Sequence, residues 1–392
     1  MNSIRIYLDH AATTPVRSEV AHAMREAAGQ CDFNPSSLHF EGRRARAALD
    51  DARDRVAAAI GATRSEILFT SGGTEAINLA LLGATRGGAR PAHVVASAIE
   101  HRAVLAALER LREDGFETSL VPVDRQGRID PAEFERSLRP QSVLASIMYA
   151  NNEVGTVQPI AELARIAHRR GTLFHTDGVA APSWLPIDVR ALQVDLLSIS
   201  AHKFYGPKGV GLLYVRAGVP LAPIIVGGGQ ESGRRSGTEN LAGIVGMARA
   251  LELAVAERAR VPEDVATLRG RLEAGIRSRV TGVSVNGGDA PRLANCSNLS
   301  FAGVDPAALI IALDLNGVSA SVGSACTSGT LEASHVLAAM AGDASGPASG
   351  VRFSLGAATT PAEVERAVDV VSDVVAGLRG LSPVTAGGMG RL

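Results

Sequence analysis

The chain reads as an α/β protein, a large part with a mostly parallel sheet covered by helices on both faces, joined to a smaller α/β unit. Three observations carry this reading. Short β-branched runs alternate with long amphipathic stretches, which argues parallel strands linked by crossover helices. The runs are apolar almost throughout, as strands buried on both faces are. Past about residue 240 the pattern changes to two long helical stretches followed by shorter elements.

In chain order the strand candidates are EILFT (66–70), HVVASA (93–98), VLASIMYA (143–150), TLFHT (172–176), VDLLSIS (194–200) and VGLLYV (210–215). Helical patterns separate them, among them Glu41 to Ile60 ending at Gly61 and His101 to Asp114 ending at Gly115. Asp130-Pro131 is a helix start, with Asp as N-cap and Pro at the first helical position. The later helical stretches run Glu239–Arg258 and Glu263–Val280. After them come VSVN, CSNLSF, ALIIALDLNG, GVSASV, EASHVLAAMAG and VRFSLG, then a last helix from Pro361 to Leu378. The turn-rich GDASGPASG (342–350) is expected to be a mobile loop, and the terminal TAGGMGRL to be frayed.

Composition narrows the function classes. With 39 basic and 40 acidic side chains in 392 residues, the net charge of −1 advertises no nucleic-acid-binding face. No apolar run reaches the roughly 18 residues a membrane span needs, and the opening MNSIRIYLDHAATT does not resemble a signal peptide. Cys31, Cys296 and Cys326 form no CxxC pair and no disulfide ladder, so no metal is expected and a cytoplasmic, reduced protein is. Neither GxxxxGK[ST] nor GxGxxG occurs, which disfavours P-loop nucleotide enzymes and nicotinamide Rossmann enzymes.

Six places carry candidate chemistry. Lys203, in SISAHKFYGPKG, falls just past an apolar strand, where open α/β sheets place ligands. Desolvation there would free its amine for a Schiff base, although an isolated lysine is ordinarily a solvated one. Asp177 ends the preceding strand in FHTD, suiting a carboxylate that faces a pyridine nitrogen, or simply an N-cap. SGGTEAINLALL (71–82) turns from strand to helix and aims free N–H groups at an anion, or only caps the helix. GGGQESGRRSGTEN (227–240), leading into a helix at Thr238, is either a second anion nest or a flexible hinge. SVGSACTSG (321–329) sets Cys326 among small polar residues, suiting a nucleophile that must travel, whereas Cys296 in ANCSNLSF fits an inert buried thiol. Cys31 cannot be assigned. Arg352, alone among apolar residues in VRFSLG, needs an anionic partner, whether substrate or structural carboxylate.

Together, LDHAATT, NPSS, SGGTEA, NNEVG, SAHKFYGPKG, RSGTEN and GSACTS resemble, in order and spacing, a cysteine desulfurase of the class V aminotransferase family, from residue 7 to residue 356. The resemblance implies the fold-type I pyridoxal-phosphate architecture. It implies a large cofactor-binding domain over 15–255, and a small domain of 1–14 with 256–392 that carries the catalytic cysteine loop. Lys203 would hold pyridoxal 5′-phosphate as a Schiff base and move the substrate Cα proton. Asp177 would face the pyridine nitrogen, and His101 would stack on the ring and serve as acid or base. Gly73, Thr74, Ser200 and His202 would hold the phosphate. Thr238 would reach the partner subunit's cofactor in a homodimer. Asn152 and Arg352 would bind the substrate carboxylate, with Asn152 also near the cofactor. Cys326 would take sulfur from L-cysteine, leaving L-alanine and a persulfide for a sulfur-acceptor protein, on a long-loop variant of the family. Ala180, in DGVAAP, stands where the family carries a glutamine that bonds the cofactor's phenolic oxygen, which implies altered tuning and slower turnover. Trp184 is expected to pack. A β-eliminating or selenocysteine lyase on the same fold, and a non-catalytic dimeric scaffold for sulfur carriers, are the competing expectations.

Overall fold

The computed structural model describes residues 5–86, 92–323, 334–342 and 350–381. Cys326, most of the 342–350 loop and the terminal TAGGMGRL lie outside the described residues.

After a short strand β1 (Ile6–Tyr7) come the strands of the large sheet: β2 (Ile67–Thr70), β3 (His93–Ser97), β4 (Glu117–Val121), β5 (Ser142–Ser146), β6 (Leu173–Asp177), β7 (Leu196–Ser200) and β8 (Gly211–Val215). Their order is β2-β8-β7-β6-β5-β3-β4. β8 runs antiparallel to both neighbours and the other pairings are parallel, so the sheet is mostly parallel as expected. Alternate residues feed opposite faces. Phe69, Ala145, Phe174, Leu197 and Leu212 pack with the helices Phe40–Ala59, Ile160–Arg169 and Leu241–Glu257. Leu68, Val94, Leu144, Leu196 and Leu213 pack on the other side with the helix Arg102–Glu113.

The structure corrects three sequence assignments. β4 is an additional strand: at the sheet edge, with exposed positions, ETSLV lacks the apolar run that marks the others. VLASIMYA has the pattern of a strand throughout, but β5 ends at Ser146; Ile147 N and Tyr149 N still donate to the β6 carbonyls of His175 and Asp177, while Met148 and Ala150 line a cleft at the sheet edge. The helix after RSGTEN begins at Leu241, not Thr238, because Asn240 is its cap and accepts from Gly243 N. Asp130 does cap the helix Pro131–Ser137, accepting from Ala132 N at 2.8 Å.

A smaller antiparallel sheet has the order β12-β13-β10-β9, formed by β9 (Val283–Asn286), β10 (Cys296–Phe301), β12 (Ser321–Val322) and β13 (Val351–Ser354); β11 (Val318–Ser319) pairs instead with β1. Its core joins Leu299, Phe353 and Leu355 to Leu272 and Val371 of the helices Val261–Arg279 and Pro361–Leu381. Leu8 from the N-terminal segment and Trp184 belong to the same cluster, so Trp184 packs as expected.

Candidate active site

Parallel strands end together, so residues just past β6 and β7 share one sheet edge. Asp177 is the last residue of β6. Lys203 closes the short helical turn Ala201–Lys203 that follows β7. Both line a cleft of about 350 Å³, together with Gly73, Thr74, His101, Asn152, Ser200, His202 and Arg352. Nine of the eleven expected site residues are therefore brought together. Thr238 is exposed and does not line this cleft. Cys326 lies outside the described residues.

Asp177 is buried, and burial raises its carboxyl above the ordinary value, while the positive charges of His101 and Lys203 pull the other way. Its Oδ1 accepts from Val179 N at 2.9 Å, which fixes the side chain on the turn after the strand. Lys203 Nζ donates to the carbonyls of Ala11 and Ala12 at 2.6 and 2.8 Å. His101 caps the helix Arg102–Glu113, its Nδ1 accepting from Ala103 N at 3.1 Å. His202 is pushed down to about 4 by burial and then by Lys203 and Lys208, so it is neutral at pH 7. Its Nδ1 pairs with Thr13 Oγ1 at 3.1 Å.

Arg352 is enclosed, and its guanidinium is already engaged. Nη2 donates to Asp9 Oδ1 and Nη1 to the carbonyl of Asn152, each at 2.8 Å, while Nε has no partner among the described residues. Arg352 itself lines the cleft, and its anionic partner among the described residues is the Asp9 carboxylate. Cys296 also lines the cleft, but its thiol is fully buried, pushed up to about 11 by burial, and donates to Glu153 O. That agrees with an inert thiol. Ala180 faces the cleft as well, and its methyl offers no hydrogen bond there. A Cβ at Gly178 would lie 2.5 Å from Leu197 Cδ1, so any side chain there would require Leu197 to shift.

Sequence reasoning missed the N-terminal contribution. His10, Ala11 and Ala12 line the cleft, and Thr14 accepts from Tyr205 N at 2.6 Å while donating to His202 O. Tyr205 holds φ 65°, costly for a non-glycine residue, at the turn after Lys203. It missed Glu100 too, a fully buried acid beside His101.

An amine, a buried carboxylate, an imidazole, hydroxyls and a glycine turn facing one cleft fit a phosphorylated aromatic aldehyde. The sequence matches the Aminotransferase class-V family over residues 6–367. A cysteine desulfurase IscS of Dictyoglomus turgidum is 46% identical over 379 residues, covering 96% of each chain. The chain belongs to the class V aminotransferases, in their cysteine desulfurase group. Among solved structures, a NifS-like protein shares 37% identity at a TM-score of 0.89, covering 96% of this chain and 100% of that one. A structure described as SspA in complex with cysteine shares 35% identity at a TM-score of 0.79, covering 89% and 98%. Membership of this group implies pyridoxal phosphate as cofactor. Among the described residues no helix is long and apolar enough to cross a membrane.

Proposed function

We propose that this chain is a pyridoxal-phosphate-dependent cysteine desulfurase, converting L-cysteine to L-alanine and collecting the sulfur as a persulfide on Cys326. The observation that carries it is Asp177 and Lys203 lining one cleft at the ends of adjacent strands. When bound, the cofactor supplies an electron sink that stabilises negative charge at the substrate Cα. Lys203 anchors it and moves the Cα proton. Asp177, buried and fixed by Val179 N, keeps the ring nitrogen protonated. His101 covers the ring. Gly73, Thr74, Ser200 and neutral His202 donate to the phosphate. Asn152 and Arg352 orient the substrate carboxylate, with Asp9 and the Asn152 carbonyl holding the guanidinium. Cys326, as thiolate, attacks the substrate sulfur; an S–S bond forms, the Cβ–S bond breaks with its electron pair kept by carbon, and protonation there gives alanine.

The working unit in this reading is a homodimer in the cytoplasm, with Thr238 reaching the partner's cofactor and a sulfur-acceptor protein relieving Cys326. Thr238 is exposed and outside its own cleft. The nearby segments, which meet at a groove lined by Ser36 and Gly228, expose Leu38 (89%), Phe40 and Val226 (78%).

The test is turnover of L-cysteine with a thiol reductant, following alanine, sulfide and the visible absorption of bound cofactor. Cys326→Ser should abolish alanine formation and keep the absorption; Lys203→Ala should lose the absorption. Pyruvate with ammonia in place of alanine would assign a β-eliminating lyase. A colourless wild-type protein that stays colourless with added pyridoxal phosphate would leave the non-catalytic scaffold.

A further inference from the structure

With pyridoxal phosphate bound as proposed, its phosphate meets the end of the cleft formed by Gly73, Thr74, Ser200 and His202, and the role of Arg235 depends on that placement. This end contains an electrostatic conflict. Glu75 follows Thr74 directly, and its Oε2 accepts from Ser71 N at 2.9 Å, so a carboxylate is fixed on the turn that must receive a dianion. A residue far along the chain answers it. Arg235 grips both oxygens, Nε to Oε1 at 2.7 Å and Nη2 to Oε2 at 3.2 Å, with the two side chains only 19% and 10% exposed.

The segment that presents Arg235 is itself anchored. Glu231 receives both Arg53 nitrogens, at 2.6 and 2.7 Å, and Phe69 N at 3.1 Å, while Arg53 Nη1 donates to Ile67 O at 2.8 Å. β2 is an edge strand, and the Ile67 carbonyl and Phe69 N–H face its open side. The Arg53–Glu231 pair thus supplies the hydrogen bonds a further strand would make. Glu231 and Ser232 hold φ 51° and 57°, a strain that side chains tolerate where surrounding contacts fix them. GGGQESGRRSGTEN is accordingly tied to the sheet at 231 and to the glycine turn at 235, which is not how a free hinge is built.

We infer that Arg235 is a positioning residue for the cofactor phosphate: it masks the Glu75 carboxylate and steadies the Ser71–Thr74 turn, reaching from a loop that Arg53 and Glu231 fasten to the sheet edge. The experiment is equilibrium binding of pyridoxal phosphate, and separately of pyridoxal, to the full-length protein stripped of cofactor, read by visible absorption. Arg235→Gln should weaken pyridoxal phosphate about tenfold, as expected for an unmasked carboxylate near a dianion, and leave pyridoxal unchanged. Arg235→Gln with Glu75→Gln should recover most of the loss. Glu75→Gln alone keeps an acceptor for Ser71 N and should bind pyridoxal phosphate at least as tightly as the wild type. Equal losses for both ligands, no recovery in the double variant, or weaker binding by Glu75→Gln would overturn the inference. Failure of the wild-type protein to bind pyridoxal phosphate would instead overturn the cofactor reading beneath it.

Discussion

Glu100 gives a prediction whose size follows from the structure. Its side chain is fully enclosed, with Oε1 accepting from Ser97 Oγ and Met148 N, each at 2.7 Å, and Oε2 without a partner among the described residues. Burial dominates; those two bonds favour the ionised form, the nearby Asp177 charge opposes it, and the carboxyl is pushed up from 4.5 to about 8. Between those values the folded protein keeps a proton that the unfolded chain has released. The stability Glu100 contributes is thus complete below pH 4.5 and is lost as pH rises to about 8, at about 1.4 kcal/mol per pH unit and about 5 kcal/mol in all. Glu100→Gln keeps an oxygen for Met148 N and carries no charge at any pH. The melting temperature of the variant should therefore climb relative to the wild type by about 5 °C between pH 5 and pH 9, using the usual unfolding entropy per residue for a chain of this length. His175, pressed down to about 3 by burial, destabilises both proteins alike as pH falls below 6.5 and cancels in the difference. Thermal unfolding at unit pH steps, with both proteins holding cofactor, is the assay. Two parallel profiles would show that Glu100 ionises as an ordinary surface acid does, and the argument from burial would fail.

Two further outcomes follow from the cleft. Ala180→Gln restores a donor at a wall position that now offers only a methyl group. The pH midpoint of the bound cofactor's visible absorption should move down, and alanine release should quicken; a spectral titration that overlays the wild type would place residue 180 out of the cofactor's reach. Arg352→Lys keeps the charge but gives up the fork that binds Asp9 and the Asn152 carbonyl together. KM for L-cysteine should rise about tenfold with cofactor absorption unchanged, the cost of about one charge-assisted hydrogen bond; an unchanged KM would make Arg352 purely structural.

Much of the sheet, and the part of the cleft at the ends of its strands, were legible because their signals are local. A strand buried on both faces announces itself as an apolar run, and its carboxyl end is where Asp177 and Lys203 had to lie. β4 escaped because half its positions meet solvent. The strand reading ran on past Ser146 because Ile147 and Tyr149 continue to bond β6 while the apolar Met148 and Ala150 turn to the cleft. The helix placed at Thr238 starts later, at Leu241, because Asn240 caps it through its bond to Gly243 N, and several residues of RSGTEN could equally open a helix by type.

What composition and periodicity could not show is of another kind. Lys203 lies 192 residues from Ala11, yet its amine meets the Ala11 and Ala12 carbonyls, and Thr14 bonds His202 and Tyr205 across a similar distance. Backbone carbonyls have no residue signature, so nothing in AATTP marks it as a wall of this cleft. The same holds for the Arg235–Glu75 grip, whose partners stand 160 residues apart. Each looks like an ordinary surface charge until folding removes them together from water. A buried charge without a partner costs several kcal/mol, so these pairs had to be present once the chain closed, though the sequence does not say which charges would meet.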